Sequence, residues 1–292
     1  PRVVLNKLNK TMKSKIPYFG TLAEYMLWDD YLKEYHKGMN FDLLWGNDIV
    51  SQSEKTPEKI TEDNQHLFNY NVNFKKGEKL SILKTYNNQD GEFRCIDQYP
   101  GQLGENGALY KWFKYKFLPG GKFAQRPMLY VDGDESFTKR GIESVIGEEM
   151  SMPREKNYEF YKKFNAIDVF VKNNSIISNG EAQMIIQDDD GFSSWIISKV
   201  PEKTAYLVVS NYKYTNERVT MFDEDNKSYS EIMHGQPVFD KTINLPSDYV
   251  ILKEYYIDDD EFVSNPFDTE TSTLHFDKLE ASEFRVYELK RA

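Results

Sequence analysis

Leu118-Pro119-Gly120-Gly121, followed by Arg126-Pro127-Met128-Leu129-Tyr130-Val131-Asp132-Gly133-Asp134-Glu135, is the stretch that decides how this chain folds. A helix expected over Ala108 to Leu118 must end there, because Pro-Gly-Gly cannot continue it. Pro127 to Val131 is a short apolar run with strand character, and it stops at an acidic turn. A long helix is then expected from Arg154 to Val171, with Tyr158, Tyr161, Phe164, Ile167 and Val171 on its buried side. Helix, strand and helix in succession call for parallel strands joined by right-handed crossovers.

The same alternation extends back to the amino terminus. Val3, Val4, Leu5, Leu8 and Met12 fit a helical stripe that stops before Pro17. Strands are expected over Tyr18–Ala23, Asn40–Trp45 and Leu80–Tyr86, with a polar stretch at 51–64 between the second and third. From Asn173 onward the style changes. Apolar segments 194–198, 204–210 and 283–289 are separated by Gly, Asn, Asp and Pro, the pattern of an antiparallel sandwich. The expected organisation is an α/β domain over residues 1–172 and an all-β domain over 173–292.

Composition excludes several function classes. The net charge of −10 argues against a nucleic-acid partner, since phosphate backbones demand a positive face. No stretch has the apolar length needed to span a bilayer, so no membrane partner is expected. Cys95 is the single cysteine, which rules out an internal disulfide framework and a Cys-rich zinc site. His36, His66, His234 and His275 lie far apart without ligand spacing, and a structural metal is not indicated. Asp188-Asp189-Asp190 and Asp258-Asp259-Asp260 carry the residue type that binds calcium, but acidic loop tips explain them more simply. No cofactor is expected. The 20 Tyr and 19 Phe suit either sugar-binding clefts or β-rich cores.

Glu24 is the candidate for chemistry. It ends the apolar run Ile16-Pro17-Tyr18-Phe19-Gly20-Thr21-Leu22-Ala23 and is followed by Tyr25-Met26-Leu27-Trp28. Such a setting desolvates a carboxyl, raises its pKa and suits a general acid, although an ordinary polar residue capping a strand fits the pattern as well. The 23 residues before it contain no Asp or Glu. Asp90, at the end of Asn88-Gln89-Asp90, likewise follows an apolar run.

Taken in order, these pieces resemble the second half of an α-amylase family glycoside hydrolase. The segment from Tyr18 to Trp28 is similar to that family's fifth barrel strand, and Asn88-Gln89-Asp90 to the Asn-His-Asp that ends its seventh. The stretch from Leu118 to Glu135 resembles the eighth strand with its Leu-Pro-Gly turn and Gly-Asp-Glu ending, the most specific of the matches. The tail from Leu279 to Leu289 is similar to the closing strand of the family's β-sandwich, domain C. The resemblance implies the second half of a (β/α)8 TIM barrel followed by that sandwich, acting on an α-glucan or oligosaccharide.

By resemblance, Glu24 is the acid/base of a retaining mechanism, which sets two carboxyl groups about 5–5.5 Å apart. Asp90 is then the auxiliary carboxylate, and Asn88, Gln89, Asp97 and Trp28 are candidates for substrate binding. The family's nucleophilic aspartate ends its fourth strand, a point that precedes Pro1. A chain opening Pro1-Arg2-Val3-Val4 reads as processed or truncated, so an amino-terminal half or self-association is expected to cover its open strand edges.

Two departures stand out. Gln89 occupies the family's histidine position, and glutamine donates with a different reach and no charge. The family's arginine three residues beyond the aspartate is missing, since Arg94 falls four beyond Asp90. Asp97, in Cys95-Ile96-Asp97-Gln98, is the rival placement of the aspartate, but Asn88 and the spacing to Leu118 favour Asp90. These departures leave open a non-catalytic, carbohydrate-binding relative.

Overall fold

The computed structural model describes residues 2–24, 42–45, 81–82, 84–85, 104–117, 128–129, 157–188, 190–222 and 227–291. Helix α1 spans Arg2–Lys15 and stops immediately before Ile16-Pro17, where the chain turns. Strand β1 (Leu22–Glu24) pairs in parallel with β2 (Leu43–Trp45), and β2 in parallel with β3 (Ser81–Ile82). Strand β4 (Lys84–Thr85) pairs in parallel with β5 (Met128–Leu129). The runs Tyr18–Ala23, Asn40–Trp45 and Pro127–Val131 each overlap one described strand, and Leu80–Tyr86 contains two.

Helix α2 (Gly104–Lys116) precedes β5, and α3 (Tyr158–Asn173) follows it. The two helices pack side by side in a constant register. Asn157 donates to Glu105 at 2.6 Å, Trp112 stacks on Phe164 at 4.0 Å, and Lys116 bonds Asp168 at 3.0 Å. Each of these pairs is separated by 52 residues (157 − 105, 164 − 112, 168 − 116), so the helices run in the same direction. Trp112 is buried, and its indole also donates to Asp168.

The buried face of α3 differs from the expected stripe. Phe160, Phe164, Ala166, Ile167, Phe170 and Val171 are buried, whereas Tyr158 and Tyr161 are exposed. Geometry explains the correction. At 3.6 residues per turn, roughly two and a half turns separate Tyr158 from Ile167, which puts them on opposite faces. Phe160, Phe164, Ile167 and Val171, spaced four, three and four, hold one stripe. The Asn157 side chain starts the helix by accepting from the Phe160 amide at 3.1 Å.

A short helix, α4 (Ser175–Asn179), leads into the antiparallel part of the chain. Ten strands follow: β6 (Glu181–Gln187), β7 (Phe192–Ser198), β8 (Thr204–Asn211), β9 (Tyr214–Phe222), β10 (Lys227–Gly235), β11 (Val238–Asn244), β12 (Tyr249–Asp258), β13 (Glu261–Thr271), β14 (Thr273–Leu279) and β15 (Phe284–Arg291). Six of them form one sheet in the order β13-β12-β15-β8-β7-β6, while β11 pairs with β14 and β9 with β10. The three segments expected as strands, 194–198, 204–210 and 283–289, are the neighbours β7, β8 and β15 at the centre of that sheet. Pro266 sits in β13, an edge strand, where its missing N–H is tolerated.

The large sheet is covered on both faces. One face, carrying Trp195, Ile197, Tyr206, Val208 and Val286, packs against Phe113, Phe117, Phe164, Ile167 and Phe170 of the helical segment. The other, carrying Ile196, Leu207, Val209, Ile251 and Leu289, packs against Ile243, Leu274, Phe276 and Leu279 of the β11–β14 pair. This double cover accounts for β7 and β8 being buried along almost their whole length instead of at alternate residues. The Trp195 indole donates to the Phe117 carbonyl at 2.9 Å and ties the sheet to the end of α2. Val171 and Ile177, on either side of residue 172, both belong to the first of these apolar clusters.

Candidate active site

Glu24 is the last residue of β1, and its Cα partner across the parallel ladder is Trp45, the last residue of β2. Both stand at the carboxyl-terminal end of the described part of their strands. In parallel β/α architectures these ends gather functional residues, because the strands' final residues all emerge on one side of the sheet. Thr85 and Leu129 are paired in the same way at the ends of β4 and β5. Ile82 and Lys84, the nearest described residues of the two parallel arrays, lie two positions apart in sequence. Asn88, Gln89, Asp90, Asp97 and Trp28 lie outside the described residues.

The opposite end of β1 and β2 carries an arrangement that the sequence reading did not single out. Asp42 immediately precedes β2, and Thr21 immediately precedes β1. The Asp42 carboxylate accepts from the Thr21 amide at 2.9 Å and from the Thr21 hydroxyl at 3.0 Å. The Asp42 amide donates in return to the Thr21 carbonyl at 3.0 Å and to Thr21 Oγ1 at 3.2 Å. Lys13, in the last turn of α1, adds an ion pair to the Asp42 carboxylate at 2.6 Å. Burial pushes the Asp42 carboxyl up, but the bonds from Lys13 and Thr21 outweigh it and hold the group below its ordinary value. The one signal available in sequence was an acidic residue directly before the apolar triplet Leu43-Leu44-Trp45.

The acidic runs are engaged by lysines. Asp188 pairs with Lys241 at 2.7 Å, and Asp190 pairs with both Lys213 and Lys241. The Asp188 carboxylate also accepts from the amides of Asp190 and Phe192, closing the turn between β6 and β7. Asp259, at the β12–β13 turn, pairs with Lys162 of α3 at 3.2 Å. His234 meets Glu217 at 2.8 Å, and His275 meets Asp277 at 3.1 Å. Among the described residues, no group of three or more His, Cys, Asp or Glu side chains is arranged to hold a metal ion. Among them too, no helix is long and apolar enough to cross a membrane.

No protein-family model matches the sequence, and no curated relative matches it. Solved structures do match in fold. Trehalose-6-phosphate hydrolase of Bacillus licheniformis superposes with a TM-score of 0.62 at 13% identity, covering 99% of this chain and 59% of that one. A noncanonic maltogenic α-amylase of Thermotoga neapolitana gives 0.59 at 13% identity, with 100% of this chain and 59% of the other covered. In fold, this chain is similar to α-amylase-type enzymes. Trehalulose synthase of Pseudomonas mesoacidophila MX-45 agrees, at 0.62 and 10% identity over 99% of this chain and 58% of that one. A variant of that synthase has been solved with its substrate sucrose. The chain thus spans under three-fifths of the length of each of these enzymes.

Proposed function

We propose that this chain is part of a retaining glycoside hydrolase or transglycosylase acting on α-glucan or oligosaccharide, with Glu24 as its general acid/base. The observation that carries the reading is the position of Glu24 at the carboxyl end of a parallel strand, within a fold shared along 99% of the chain with sugar-converting enzymes. In this reading residues 1–172 are the second half of a (β/α)8 barrel and 173–292 are domain C. The parallel pairings of β1 to β5 and the parallel course of α2 and α3 support it, since consecutive β/α units lay their helices side by side in one direction.

The chemistry follows from the residue types. Glu24 protonates the departing glycosidic oxygen, then takes a proton from the water or sugar hydroxyl that resolves the glycosyl intermediate. Asp90 binds sugar hydroxyls and steadies positive charge at the anomeric carbon. Asn88, Gln89, Asp97 and Trp28 line the adjoining subsite. The attacking aspartate comes from sequence before Pro1. The amino-terminal half that supplies it, or a second copy of the chain, covers α1, whose Val3, Val4 and Leu8 are exposed, and the edge of β1, which is unpaired among the described residues.

Glu24→Gln in the full-length protein, assayed against the parent on a chromogenic α-glucoside, is expected to cost at least ~100-fold in kcat. An unchanged rate removes Glu24 from the mechanism. A second reading, a relative that binds glucan without cleaving it, is favoured by Gln89 and by the missing arginine after Asp90. It predicts glucan binding by the parent with no turnover.

A further inference from the structure

We propose that Asp42 is a positioning residue for Glu24, setting the register of β1 against β2 through its bonds to Thr21. The inference rests on the reading of Glu24 as the acid. Among the described residues β1 and β2 pair at three positions, and the Thr21–Asp42 contact adds a side-chain clamp at the start of that ladder. Their pairs, Leu22 with Leu43, Ala23 with Leu44 and Glu24 with Trp45, continue one for one from the Thr21–Asp42 contact. That contact comprises two bonds accepted by the Asp42 carboxylate and two made by the Asp42 amide. Lys13 anchors the same carboxylate to α1. A slip of one residue would turn every side chain of β1 to the other face, Glu24 included. Asp42 therefore acts three residues upstream of the chemistry, at the far end of the two strands.

The role predicts a dependence on leaving group. A displaced acid matters where the departing oxygen needs a proton, and little where fluoride leaves unaided. The test compares Asp42→Ala, Asp42→Asn and Glu24→Gln in the full-length protein on an oligosaccharide and on an α-glucosyl fluoride. Asp42→Ala is expected to lose about 10- to 100-fold in kcat on the oligosaccharide, with KM nearly unchanged, and much less on the fluoride. Asp42→Asn still accepts from Thr21 and should recover most of the loss. Equal losses on both substrates would make Asp42 merely structural and overturn the proposal. If Glu24→Gln shows the leaving-group split and Asp42→Ala does not, the positioning role fails while the acid survives. If Glu24→Gln shows no split, or the parent turns over neither substrate, both fall. The Thr21 amide should also exchange faster in Asp42→Ala, and unchanged exchange overturns the clamp whatever the kinetics. Should Asp42→Ala not fold, Thr21→Val removes the hydroxyl alone and is put through the same comparison, with the same outcomes deciding.

Discussion

In their described residues β1 to β5 pair in parallel over two or three positions each, whereas β6 to β15 run seven to eleven residues and pair antiparallel. The long strands pair over most of their length, and the six-stranded sheet buries its two faces against separate apolar layers. In the parallel part, Asp42 ties the start of β1 to the start of β2 and, through Lys13, to α1. The described core joins the large sheet to the two helices before it, while Glu24 lies on the parallel ladder.

Cutting between the two parts should have the largest effect. A fragment of residues 173–292 loses Trp112, Phe113, Phe117, Phe160, Phe164, Ile167 and Phe170, leaving Trp195, Ile197, Tyr206 and Val208 uncovered. It is expected to aggregate or to bind hydrophobic dyes, because an apolar sheet face of that size does not stay in water. A soluble fragment with a sharp unfolding transition would show that the sandwich stands alone and that the helices merely lean on it.

Within the intact chain, Trp195→Ala is the next largest. The residue is buried at the seam, and its indole is bonded to Phe117. Loss of the ring and of that bond is expected to cost about 3–5 kcal/mol in urea unfolding. A change under ~1 kcal/mol would mean that the seam carries little of the stability.

Gly180→Ala probes the same junction from the backbone. A Cβ there would come within 2.8 Å of the Ser198 carbonyl and closer still to the Ile176 carbonyl, neither of which can step aside without moving β7 or α4. The expected cost is about 1–3 kcal/mol, read as a lower thermal midpoint. An unchanged midpoint would show that α4 floats against the sheet.

The two parts also differed in how much the sequence revealed. Central strands β7, β8 and β15 were plain because long apolar runs bounded by turn residues admit few other readings. Parallel strands were locatable from apolar runs, but their pairing was not, since register depends on partners distant in sequence. The face of α3 was misassigned at Tyr158 and Tyr161 because a spacing of three drifts around the helix. Glu24 stood out as an acid after an apolar run. Asp42 did not, because its meaning lies in Thr21 and Lys13, twenty-one and twenty-nine residues earlier. Nor did composition disclose that Asp188 and Asp190 face Lys213 and Lys241, a pairing made only by the β-sheet.

The smallest expected effect compares two carboxylates, one in each part. Bonding to Lys213 holds Asp190 below its ordinary value against the pull of burial, with Lys241 assisting, while Lys13 and Thr21 overcome burial at Asp42. Both folded values lie below the unfolded ones, so each group's contribution is complete above the ordinary value of 3.8 and is lost as pH falls through the folded value. Their side chains are 45% and 49% exposed for Asp42 and Asp190, so screening limits each to less than about 1 kcal/mol. Unfolding followed below about pH 4 should therefore show a slightly shallower loss of stability in Asp190→Asn than in the parent. Asp42→Asn should leave global unfolding almost unmoved and instead remove the acid dependence of Thr21 amide exchange, because β1 and β2 open locally while the large sheet stays closed. If Asp42→Asn altered global unfolding as much as Asp190→Asn, the short parallel strands would belong to the same cooperative unit as the sandwich.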